Sequence, residues 1–101
     1  MTQYFIHPLA EQDLDNYATY IAQDKLEAGL RLYECAEKTY QSLADFPEIG
    51  KRYRSSDPSL KNIRFFPIKG FSKYLVFYLP IDKGIEIVRV IRQSRNITQI
   101  L

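Results

Sequence analysis

Two stretches in the C-terminal third of the chain, KYLVFYL (73–79) and GIEIVRVIR (84–92), are apolar on both faces. Side chains alternate along a strand, so Leu75, Phe77 and Leu79 take one side while Tyr74, Val76 and Tyr78 take the other. On the same alternation Ile85, Ile87 and Ile91 oppose Val88 and Val90. Strands of this kind must be covered twice. The rest of the chain has to supply a layer for one face, and the other face must meet its own tail or a bound partner.

The preceding residues supply one such layer. QYFI (3–6) reads as a short apolar strand ended by His7-Pro8. Pro8 suits a first helical turn, where its missing N–H has no intrahelical partner to lose. Ala10, Leu14, Tyr17 and Ile21 then recur at helical spacing, and Glu11, Asp13 and Asp15 complement the positive end of that helix. QDKLEAG interrupts it briefly. A second helix turns Ala28, Leu32, Cys35, Thr39, Leu43 and Phe46 inward, and so short a break predicts an antiparallel helical hairpin. FPEIG (46–50) stops the second helix, and KRYRSSDPS (51–59) is a polar, basic loop. KNIRFFPI adds a strand before the two doubly apolar ones, and PIDKG (80–84) is a hairpin connection. The predicted fold is α+β: an N-terminal strand, the helical hairpin, then a three-stranded antiparallel block completing one sheet (β-α-α-β-β-β). Two helices can cover only one face of that sheet.

A length of 101 residues suits a single domain spanning 1–101. No apolar run approaches the roughly 20 residues that span a bilayer, and the N-terminus has no secretory pattern. A cytoplasmic protein without membrane contact is expected, with Cys35 as a small core residue. The charge is divided unevenly. Residues 1–50 hold three basic against nine acidic side chains, whereas residues 51–101 hold eleven against three. The second half therefore offers an electropositive surface to an anionic partner.

That surface ends in RVIRQSRN (89–96), with arginines at 89, 92 and 95. By alternation Arg89 shares a side with Ile85, Ile87 and Ile91, and is expected to serve the fold by bridging to an acid of the first half. Arg92, on the side of Glu86, Val88 and Val90, and Arg95, past the strand end, are assigned to a partner. Tyr74, Val76 and Tyr78 join them as partner-binding candidates on the strand face taken to be open.

In order along the chain, HPLAEQDLDNYATYIAQD, LADFPEIGKRY and IRFFPIKGFSKYLVFYLPIDKGIEIVRVIRQSRN resemble the RelE/ParE toxins of type II toxin–antitoxin systems, and their ParE branch in particular. Arg89 and Val90 match the arginine–valine of the ParE block, and Arg95 its terminal arginine. Arg92, Gln93 and Asn96 stand where histidine, glycine and aspartate are usual. The resemblance implies a toxin silenced by a cognate antitoxin encoded by an adjacent gene, in a hetero-oligomeric complex. It implies DNA gyrase as the target in the ParE branch, and messenger RNA on the ribosome in the RelE branch. A member that keeps the fold and antitoxin binding without toxicity is a third reading.

Metal-free RNA cleavage needs a base, an acid and cations that stabilise the phosphorane. The candidates are Arg64, Lys69, Tyr78 and Arg95, with Tyr74 and Lys73 behind them. The tail beyond Arg95, NITQIL, holds neither tyrosine nor histidine, and the lone His7 sits at a helix entrance. One cysteine and one histidine do not make a zinc site, and no phosphate-binding glycine loop is present. No cofactor and no metal are expected, and toxicity by protein contact is the preferred reading.

Overall fold

The computed structural model describes residues 3–101. The chain runs β1 (Gln3–Ile6), α1 (Pro8–Asp24), α2 (Leu26–Asp45), β2 (Lys51–Arg52), β3 (Arg64–Ile68), β4 (Phe71–Ile81), β5 (Gly84–Arg92) and α3 (Ile97–Ile100), with a 3₁₀ turn at Pro58–Leu60. All five strands form one sheet in the order β1-β5-β4-β3-β2. The α+β class and the order of a strand, two helices and then strands are those of the sequence. The sheet is mixed, however, because β1 runs parallel to β5 while the other pairs are antiparallel. Alternation sorts residues between two faces and is blind to strand direction. The two-residue β2 is too short to show any alternation.

His7 opens α1: its Nδ1 accepts from the Leu9 N–H at 3.1 Å, just ahead of Pro8. A single extended residue, Lys25, separates the helices. The hairpin is antiparallel, and Tyr33 of α2 donates its hydroxyl to the Asp15 carboxylate of α1 at 2.6 Å. At the other end of the domain, β1 passes so close to Gly84 that a Cβ there would overlap the Gln3 backbone. The glycine's φ of +152° reinforces the requirement.

Under the hairpin, Leu14, Leu32, Ala36, Tyr40 and Leu43 bury against Tyr74, Val76, Tyr78, Ile85, Ile87 and Val90. The opposite face is not left bare. The 53–63 segment and the C-terminal tail fold over it, so that Ile63, Leu75, Phe77 and Ile91 are buried with Tyr53, Leu60, Ile97, Ile100 and Leu101 around them. Tyr53 meets the Phe77 ring edge-on at 5.5 Å. Of the two covers open to the sequence, tail or partner, the chain supplies its own.

Three expectations are corrected here. Tyr74, Val76 and Tyr78 lie on the helix side, at most 7% exposed, and not on an open face. Phe46 does not turn inward: it lies just past the end of α2 and is 64% exposed. Ile85, Ile87 and Ile91 do not share a side, because the β4–β5 ladder slips between Phe77 and Tyr78. Phe77 faces Arg89, Tyr78 faces Ile87, and Val88 has no residue opposite. The extra residue inverts the alternation. Ile85, Ile87 and Val90 therefore face the helices, while Val88 and Ile91 face the tail.

Candidate functional site

The bulge also shapes the arginine-rich end of β5. β1 accompanies β5 only as far as Ile87, so the rest of that edge has no strand beside it. Side chains of α1 take the strand's place. The Asp13 carboxylate accepts from the Val90 N–H at 3.0 Å, and the Tyr17 hydroxyl accepts from the Arg92 N–H at 3.0 Å. Asp13 also receives both arms of Arg89, Nε at 2.7 Å and Nη2 at 2.9 Å. This two-bonded geometry suits the planar guanidinium and adds to the hold of the latter on its proton.

Arg92 lies opposite Tyr74, on the same side as Val90 and not that of Val88 and Glu86, another effect of the bulge. Arg95 is exposed, its backbone N–H bonded to the Arg92 carbonyl at 2.9 Å. It lines a cleft of about 280 Å³ between α1, β5 and α3, together with Gln12, Asn16 and Arg89. With Arg89 engaged by Asp13, Arg95, the two amides and the Tyr17 O–H are the donors left to meet a carboxylate or phosphate there. Asp13 and Tyr17 were missing from the sequence-based site. Asp13 follows Ala10 by three residues, which sets its carboxylate on the flank of the buried stripe, beside the sheet.

The four ribonuclease candidates do not converge. Arg64 and Tyr78 face each other across β3 and β4, and both are built into the 46–50 loop. The Tyr78 hydroxyl donates to the Pro47 carbonyl at 2.7 Å and accepts from the Gly50 N–H at 2.9 Å. Arg64 donates to the carbonyls of Gly50 at 2.7 Å and Glu48 at 3.2 Å. Burial raises the Tyr78 phenol, against the pull of the Gly50 N–H and the Arg64 charge. Lys69 is exposed in the β3–β4 turn, near the level of Tyr74 and Arg92. Four strand residues, roughly 13 Å at 3.3 Å each, separate that level from Tyr78. Among the described residues no group of three or more His, Cys, Asp and Glu could hold a metal ion, and no helix is long and apolar enough to cross a membrane.

The sequence profile of the ParE toxin of the type II toxin–antitoxin system parDE matches residues 4–97. The chain belongs to the ParE toxin family. No curated protein matches it in sequence. Its fold is similar to that of a chain of the chromosomal ParDE toxin–antitoxin system from P. aeruginosa, with a TM-score of 0.68 at 20% identity. That likeness covers 91% of this chain and 96% of the other. In this ParE-family member, then, the arginine block divides its labour. Arg89 is tied into the fold, the Arg92 backbone caps an open strand edge, and Arg95 stands at the mouth of a cleft.

Proposed function

We propose that this chain is the toxin of a type II pair, that it inhibits DNA gyrase by protein contact, and that a cognate antitoxin encoded beside it holds it silent. Family membership supports the toxin reading. The observation that carries the choice of contact over catalysis is the Tyr78 hydroxyl, which spends its donor and an acceptor position on the backbone of Pro47 and Gly50. A phenol bound in this way is held by the fold, Arg64 beside it is spent on the same loop, and Lys69 and Arg95 lie elsewhere on the chain.

The antitoxin segment needs a surface that the chain does not cover itself. Leu26, Leu30 and Tyr33 form a stripe along one side of α2, between 37% and 66% exposed. A disordered acidic segment that folded along this stripe would gain apolar burial, and its carboxylates could reach Arg95 and Arg92. Toxin and antitoxin then form a cytoplasmic hetero-oligomer. Growth arrest on expression of the chain alone, relieved by the neighbouring gene product, tests the pairing. Gyrase and ribosome assays run side by side test the target.

A further inference from the structure

Residues 51–64 contain Lys51, Arg52, Arg54, Lys61 and Arg64 against one acid, Asp57. The single carboxylate is already engaged, accepting from the Ser59 N–H at 2.9 Å and the Ser59 hydroxyl at 2.8 Å. The β2–β3 ladder has only two residue pairs, and one of them sets Arg52 directly opposite Arg64. Like charges across a strand pair repel. Arg64 turns to the neutral carbonyls of Glu48 and Gly50, which orient its guanidinium and leave the charge in place. A two-residue edge strand that retains such a pair gives up stability, and the expected return is binding to a polyanion.

Arg52, Arg54 and Lys61 line one open groove of about 610 Å³. The aromatic residue within it, Tyr53, is half-buried and packs edge-on against Phe77 and Phe65 at 5.5 and 6.3 Å, so the groove offers a strand of bases one ring at most and no series of stacking platforms. Single-stranded nucleic acids are held chiefly by such stacking, whereas a duplex offers its phosphates without it. We infer that the groove between β2 and the 3₁₀ turn binds the phosphodiester backbone of duplex DNA, independently of sequence. This contact goes beyond the proposed inhibition of gyrase and stands or falls without it.

The test uses the full chain and short labelled DNA duplexes of unrelated sequence, with neither gyrase nor ribosomes present. The expected result is binding that weakens steeply with salt. Arg54→Gln and Lys61→Gln should each lower affinity on every duplex and reduce the slope of log K against log salt by about one. Arg52→Gln should do the same with a melting temperature unchanged or raised, because the opposed charges are gone. Lys83→Gln, in the β4–β5 turn, should change neither affinity nor slope. Absence of duplex binding at low salt, equal losses in the Lys83 variant, or tighter binding to a single strand of the same length would each overturn the inference.

Discussion

Arg89 and Asp13, 76 residues apart in sequence, meet in a two-bonded ion pair whose carboxylate also accepts the Val90 N–H. The Arg89 and Asp13 side chains keep only 23% and 15% of their exposure. One acid therefore ties α1 to β5 and satisfies the strand edge that β1 leaves open. Either truncation strands the other charge, which costs roughly 2–4 kcal/mol for a partly buried pair. Arg89→Ala should lower the melting temperature on the order of 10 °C or more, given about 4–8 °C per kcal/mol in a domain of this size. Asp13→Asn should also destabilise the chain, since the amide loses the charge and half of its acceptor capacity. Melting curves of the two variants and the double variant give the coupling between them.

At Arg95 the opposite result is expected. Its side chain makes no contact that the fold depends on, and the Arg92 side chain is likewise spared, since Tyr17 holds the Arg92 backbone. Arg95→Ala and Arg92→Ala should melt within about 0.5 kcal/mol of the parent. Binding of antitoxin should weaken by about tenfold or more in a titration, equal to roughly 1.4 kcal/mol.

The 46–50 loop hangs on Tyr78. Tyr78→Phe leaves the buried Gly50 N–H and the part-buried Pro47 carbonyl unpaired, at a cost of about 1–3 kcal/mol. Gly50→Ala should be at least as damaging, because its Cβ would meet the Tyr78 ring and hydroxyl. Urea unfolding of both variants measures the loss.

Tyr33 provides a pH-dependent signal. Its hydrogen bond to Asp15, with lesser help from burial and the carboxylate charge, raises its phenol from 10.0 to about 12. Because the folded value lies above the unfolded one, this bond stabilises fully below pH 10 and its contribution is lost between pH 10 and about 12. Subtracting the alkaline absorbance titration of Tyr33→Phe from that of the parent should leave a phenolate step near 12. A step near 10 would mean that the bond does not form in solution.

Much of the fold was legible because amphipathic spacing survives wherever an element packs on one face. Ala10, Leu14, Leu32 and Leu43 were readable in this way, as was the double cover demanded by Leu75, Phe77, Val76 and Ile87. The site was less legible, and one residue explains most of the failure. Val88 is the extra residue of a bulge, and a bulge leaves no mark on composition or period. Every face assigned beyond it was inverted, although Arg89 still found an acid of the first half. The tyrosines of β4 misled differently. Alternation separated Tyr74 and Tyr78 correctly from Leu75 and Phe77, but it does not say which side the helices cover. Phe46 escaped because Pro47 ends the helix before its period would have turned that ring inward.

We propose that this toxin acts on gyrase by contact and performs no chemistry on RNA. The most direct measurement is supercoiling by purified gyrase in the presence of the chain, beside messenger RNA cleavage on translating ribosomes with the same preparation. The expected result is loss of supercoiling with accumulation of cleaved DNA, reversed by the antitoxin, and intact messenger RNA. Codon-phased cuts in the ribosomal A site with supercoiling unaffected would contradict it.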